Sequence, residues 1–317
     1  MGIKAKPTSR QLNRLNLIRK ILYYKQLYFM ILPGFTAVLL FSFIPIYGWI
    51  MAFTDFRIGK SMWSAPWVGL KYFKEFFINS SEAMRVIINT LVMNISSMVL
   101  GILLAMIFAV LLKELRRPGY KKFIQSVTFF PYFMSWVILY AVVYSLFSTS
   151  SGAINELLMN LGLLSKPVNI LGDPRYSWQL IITVNIWSSL GYSSVIFIAA
   201  IAGIPIEQYE SAKIDGANRF HEIWHITVPN LIPTVTVLFI MNSGWLFNSG
   251  LDQYFIFTNT LNMPTMEVFD YYIYRFGLKI GNYSYATAVG IVKTFVSIVL
   301  LVAVNQISKK TAKRSIF

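Results

Sequence analysis

Cysteine is absent from the 317 residues, and charge is scarce, with only 13% of positions Asp, Glu, Lys or Arg. The first absence excludes disulfides and thiolate-held metals. The second excludes an ordinary soluble surface, since soluble domains carry roughly 25% charged residues. Histidine occurs only at 221 and 225, so any histidine metal site must be built on that pair. The phosphate-cradling pattern G-x-x-x-x-G-K-[ST] is missing as well. Gly59-Lys60-Ser61 resembles its end, but Thr54 stands where the first glycine is required. ATP hydrolysis is therefore not expected of this chain. No cleavable leader is expected either, because residues 1–26 are basic and polar before the first apolar run.

What is present is apolar: 56% of residues are hydrophobic, 16% aromatic, and the mean hydropathy is +0.58. Six runs are long enough to cross a bilayer, near 27–53, 86–112, 123–148, 178–204, 231–250 and 283–305. The expected fold is an all-α, multi-pass membrane protein. Pro33, Pro45 and Pro131 predict tilts or kinks in the first and third runs. A net charge of +15 could suggest nucleic acid, but basic flanks of membrane spans give the same total, so no such partner is expected. Basic residues crowd the N-terminal segment (Lys4, Lys6, Arg10, Arg14, Arg19, Lys20, Lys25), the 113–122 loop and the tail (Lys309, Lys310, Lys313, Arg314). By the positive-inside rule, both termini are expected in the cytoplasm. Leu15, Ile18 and Leu22 share a helical face within 10–25. That reads as a helix on anionic lipid or as a plain basic flank.

The 205–230 loop falls on the same expected side but breaks the charge trend. Glu207, Glu210, Asp215 and Glu222 outnumber Lys213 and Arg219. It also contains HEIWH (221–225), which fits the zinc-protease pattern H-E-x-x-H. A third protein ligand is needed. The downstream acids, Asp252, Glu267 and Asp270, lie beyond the fifth run, across about 30 Å of hydrocarbon. No metal site is expected. Read as shape, Pro205 opens a short helix with small Ser211 and Ala212, Gly216 breaks it, and a second amphipathic helix carries Phe220, Ile223 and Trp224 until Pro229 ends it. Such a projection suits a helix-in-groove contact with a protein.

The loop resembles the EAA signature of permease subunits of binding-protein-dependent ABC importers: E-A-A, three residues, Gly, nine residues, I-x-L-P. Here it reads Glu210-Ser211-Ala212, Gly216, then Ile226-Thr227-Val228-Pro229, with Ser for Ala and Val for Leu. PIYGWIMAFTDF (45–56), WVGLKYFKEFF (67–77), FFPYFMSWVILYAVVYSLFS (129–148) and GAINELLMNLG (152–162) are similar to the sugar-importing branch, in particular the upstream permease of a heterodimeric pair for complex oligosaccharides. The resemblance implies the type I ABC importer permease fold with six transmembrane helices in a bacterial cell membrane. It divides the chain into a basic segment (1–26), a first span with extracellular loop (27–85), a transport core (86–305) and a basic tail (306–317). It implies a second permease, cytoplasmic ATPase subunits that carry ATP and magnesium, and an extracellular solute-binding lipoprotein. No cofactor is expected on this chain. The coupling residues implied are Glu207, Glu210, Ser211, Ala212, Asp215, Gly216, Phe220 and Pro229.

Sugars need hydrogen-bond partners and aromatic faces along their route. The fourth run offers Asn185, Ser188, Ser189 and Tyr192, and the fifth offers Asn242, Trp245, Asn248, Ser249 and Asp252. At 100° per residue each set falls within an arc of about 120°. Such stripes line a path or bond a neighbouring helix. Trp136 and Trp187 read as packing residues. Lys293, in the middle of the sixth run, is expected to face the protein interior, with no partner readable. Other solutes of the same family, a secondary transporter and a membrane zinc protease remain as rival readings.

Overall fold

The computed structural model describes residues 20, 23–79 and 81–312. The interfacial helix expected over 10–25 and the last tail residues lie largely outside that set. Among the described residues the regular elements are helical, and an isolated antiparallel bridge joins Thr54 to Trp67.

Residues up to Met51 form one unit and Ala52 onward a second. In the first unit, α1 (Lys25–Val38) contains Pro33 and no buried residue, as suits a helix that meets lipid. A π turn (Leu39–Phe43) and a 3₁₀ stretch (Ile44–Phe53) follow. Pro45 removes a backbone donor there, and the helix changes pitch around it.

The second unit is organised on α2 (Ser81–Glu114). At 1.5 Å per residue it is about 51 Å long, so both ends clear a 30 Å hydrocarbon layer. After it come α3 (Pro118–Phe129), α4 (Trp136–Phe147), α5 (Ala153–Asn160) and α6 (Ser177–Ala202). The rest is α7 (Ile206–Ile214), α8 (Val228–Ser243), α9 (Leu251–Phe257), α10 (Phe269–Tyr274) and α11 (Tyr283–Ala312). Ala105 and Ala109 of α2 meet Phe197 and Ile201 of α6, with Leu231 of α8. Small residues let these helices approach closely where lipid offers no hydrophobic drive.

One expectation is sharpened and one needs correction. The kink expected in the third run is a full break: Pro118–Phe133 and Trp136–Phe147 meet at 109°. Pro131 opens a 3₁₀ turn, Met134 and Ser135 are extended, and Ser135 caps α4 by accepting from the Ile138 N–H at 3.4 Å. The fifth run is displaced: its helix starts at Arg219 and ends at Ser243, not at 231 and 250. Among the described residues, five continuous helices and the bent pair of the third run are long and apolar enough to cross a membrane.

The end of the second unit away from the 113–122 loop is tied by charge. Arg275 bonds Glu267 at 2.6 Å and Glu82 at 2.5 Å, and Arg85 approaches Glu267 at 3.5 Å. Tyr72 donates to Asp55 at 2.8 Å. That bond, ahead of nearby Arg57 and Lys71, holds the Asp55 carboxyl below its usual range, and burial with the same contact pushes the Tyr72 hydroxyl up to about 12.

Candidate functional site

A cavity of about 670 Å³ is lined by α2, the α3–α4 break, α6, α8 and the bend after α8. Asn94 and Ser97 come from α2; Pro131, Tyr132 and Trp136 from the break; Asn185, Ser188, Ser189 and Tyr192 from α6. Asn242, Trp245, Asn248 and Ser249 complete it. Among the described residues no charged side chain lines it.

The α6 wall is locally determined. Ser188 and Ser189 donate to the Asn185 carbonyl at 2.9 and 2.7 Å, so both hydroxyls are held with lone pairs free. Tyr192 stacks on Tyr132 with centroids 4.2 Å apart and planes 2° from parallel. Gly191 permits this contact, since a Cβ there would lie 2.5 Å from the Thr128 carbonyl oxygen and 2.6 Å from Phe129 backbone.

The opposite wall depends on distant residues. Asn94 donates to the Leu246 carbonyl at 2.6 Å and the Ser249 hydroxyl at 2.7 Å. Asp270 accepts from the Ser249 and Gly250 N–H groups at 2.8 and 3.1 Å. Lys293, the mid-span cation without a readable partner, pairs with Asp270 and reaches Asn248 Oδ1 at 3.3 Å.

Eight of the nine residues expected along a path meet at this cavity: Asn185, Ser188, Ser189, Tyr192, Asn242, Trp245, Asn248 and Ser249. Asp252 does not; it sits in the first turn of α9, on the far side of Gly250 at φ +78°. The 100° arithmetic fails there because the helix has already ended at Ser243. Trp136 lines the cavity and Trp187 does not. Asn94, Ser97 and Tyr132 were missed. The two α2 residues lie three apart in an apolar helix, so the stripe test used on the other runs would have found them.

The 205–230 loop projects at the Glu114 end of α2. Helix α7 ends in a Schellman turn: the Gly216 N–H donates to Lys213 O at 3.1 Å and the Ala217 N–H to Ala212 O at 2.9 Å. Gly216 sits at φ +78°, with nothing within 4 Å of a Cβ added there. Its base is pinned: Lys113 bonds Thr227 at 3.2 Å and lies 3.8 Å above the Tyr209 ring, while Arg219 pairs with Glu114 at 3.7 Å. Glu207, Glu210, Ser211, Asp215 and Phe220 are exposed, along with Ile206, Ile214 and Trp224; Ala212 is half-buried. Pro229 does not end a helix, contrary to expectation. A single turn (Arg219–Glu222) and a π turn (Ile223–Thr227) run straight into α8, and Pro229, which has no N–H to donate, follows directly on the widened π turn.

The two HEIWH rings stack at 5.8 Å on an exposed face. Their Nδ1 atoms meet Asn218 Oδ1 at 2.8 Å and the His221 carbonyl at 3.1 Å. Among the described residues no group of three or more His, Cys, Asp or Glu is placed to hold a metal.

Residues 83–313 match the family described as "Binding-protein-dependent transport system inner membrane component". The chain belongs to this family. It is thus a multi-pass membrane permease component. The permease is 36% identical to protein LplB of Bacillus subtilis over 92% of this chain and 91% of that one. It is 35% identical to the polygalacturonan/rhamnogalacturonan transport system permease YteP of the same organism, covering 96% and 94%. It is also similar to a chain of the bacterial alginate ABC transporter solved with an alginate pentasaccharide-bound periplasmic protein. There the TM-score is 0.85 at 31% identity, covering 94% of this chain and 99% of that one.

Proposed function

We propose that the permease is one half of the membrane channel of an ATP-driven importer of oligosaccharides. The observation that carries the substrate class is the cavity: amides, hydroxyls and the faces of Tyr132, Tyr192, Trp136 and Trp245, with no charge among them. Polyhydroxylated rings need such a mixture, since each hydroxyl must trade water for a donor or acceptor while the C–H faces lie on aromatic rings. The names of the two sugar-transport relatives support the same class.

The partners follow from what the chain needs. A homologous second permease closes the path, and an extracellular solute-binding lipoprotein delivers the sugar. ATPase subunits in the cytoplasm carry the ATP and magnesium. The 205–230 loop docks on an ATPase subunit through Glu207, Glu210, Ser211, Ala212, Asp215, Gly216 and Phe220, with exposed Ile206, Ile214 and Trp224 as the apolar contact. With six spans, the third one broken, both termini and this loop share one side of the membrane, and the Lys and Arg flanks support the cytoplasm as that side. Access alternates as the two permeases rock about the cavity.

The test is ATP-dependent uptake in proteoliposomes holding the full complex. Gly216→Val forces a β-branched residue to positive φ at a cost of about 1 kcal/mol or more, and Glu210→Lys reverses a docking charge. Both are expected to leave ATP hydrolysis uncoupled from uptake or to loosen the ATPase. Replacing His221 and His225 together by Gln should leave uptake within a few-fold of the parent. A dead histidine pair that has lost bound zinc, beside functional Gly216→Val and Glu210→Lys, would restore the protease reading.

A further inference from the structure

The wall at Asn248 is set from behind the cavity. Lys293 of α11 and Asp270 of α10 form a mostly buried ion pair that lines no part of the cavity, yet both touch the bend that does. An ammonium only donates, and so does a peptide N–H. The sense of each bond is therefore fixed by chemistry rather than by an arbitrary choice of amide orientation. Lys293 takes Asn248 Oδ1, leaving the Asn248 NH₂ with no partner among the described residues. Asn94 is fixed in the reverse sense. The Leu246 carbonyl and Ser249 hydroxyl occupy its NH₂, so its Oδ1 is the free atom. The two amides of this wall offer one donor and one acceptor, each with its role set by tertiary contacts.

An apolar pair of equal volume would fill the space behind the bend at no desolvation cost. What the ion pair adds is position and polarity. Asp270 holds the Ser249 and Gly250 N–H groups, and Lys293 turns the Asn248 amide. We infer that Lys293 and Asp270 are positioning residues for sugar recognition. They present the Asn248 NH₂ as a donor to an acceptor oxygen of the saccharide, whether a hydroxyl or a uronate carboxylate. The inference rests on the carbohydrate reading above.

It is tested without the binding protein, by saccharide protection of a reporter thiol in the assembled complex. The chain contains no cysteine, and Ser193 of α6 lines the cavity, so Ser193→Cys in a complex whose partners are cysteine-free reports on the cavity alone. The probes are an oligogalacturonate digest and the same digest after reduction of its carboxylates to alcohols. Lys293→Met should raise the half-protecting concentration of both about tenfold, and Lys293→Arg, which still donates, should stay within about twofold of the parent. Asn248→Asp puts a carboxylate where the donor was and should weaken the acidic probe at least tenfold more than the reduced one. Unchanged protection in Lys293→Met, even with a lowered melting temperature, would make the pair merely structural and overturn the inference. So would an Asn248→Asp that treats both probes alike. Protection of the parent by only the reduced probe would confine the acceptor to hydroxyls and contradict the carboxylate arm. Protection by neither would remove the carbohydrate reading itself.

Discussion

The two walls of the cavity are built in opposite ways. On α6, the polar groups sit on an unbroken helix, and their hydroxyls are fixed by carbonyls three and four residues back. On the other wall, the helix stops at Ser243, and Asn248 and Ser249 are placed by Asn94, Asp270 and Lys293, up to 155 residues away. The first wall is a property of a segment and the second a property of the fold. Damage should therefore spread differently: local on α6, collective on the bend.

The largest effect is expected at the keystone of the second wall. Asp270→Ala strands Lys293 and two backbone donors, and breaking a buried pair costs about 3–5 kcal/mol. Melting of the purified complex should show the loss, and adding Lys293→Met should recover much of it. Full additivity of the two changes would mean they do not act as a unit.

Gly191→Ala comes next, at about 1–3 kcal/mol for overpacking against the Thr128–Phe129 backbone. Here, as in the Tyr192 stack on Tyr132, the α6 wall relies on a distant segment. Gly119→Ala is the control, because nothing lies within 4 Å of its added Cβ, and it should not lower the melting temperature.

Smaller still are Asn185→Leu and Asn242→Leu, each of which is expected to remove one hydrogen bond to the sugar, worth about 1 kcal/mol. Uptake should fall by roughly five- to tenfold while complex yield stays normal. Normal uptake by both would return these residues to ordinary helix packing.

The smallest effect belongs to the Tyr72–Asp55 link, which spans 17 residues, far fewer than the contacts of the tertiary wall. The hydrogen bond holds the Asp55 pKa below its unfolded value of about 3.9. Its contribution is thus present above that pH and lost as pH falls through the folded pKa. Tyr72→Phe should lower the melting temperature at pH 7, and the gap from the parent should close as the pH drops below about 4.

The same contrast explains what the sequence disclosed. Residues whose positions follow from helical spacing, such as Asn185, Ser188, Ser189 and Tyr192, could be placed by counting. The Gly216 turn was legible because a helix followed by glycine has few continuations. Asp252 was misplaced because counting assumed a helix through a bend that Asn94, Asp270 and Lys293 hold from other elements. Pro229 misled in a similar way: proline reads as a stop, but here it follows directly on a π turn and the helix continues. The 109° break at Pro131 was legible as a kink but not in size: the segment just before it packs its Thr128–Phe129 backbone against Gly191 of α6, a contact that no local rule supplies.

The central claim is that a locally built wall and a tertiary wall enclose one path whose access follows the ATPase. Thiol labelling tests it most directly, with Asn185→Cys on one wall and Asn248→Cys on the other, each in a cysteine-free complex. A membrane-impermeant reagent is applied from one face, first without nucleotide and then with ATP trapped by vanadate. The account predicts that the labelling rates at both positions change together, in the same direction, between the two states. Two unresponsive positions, or a response at one wall alone, would contradict it.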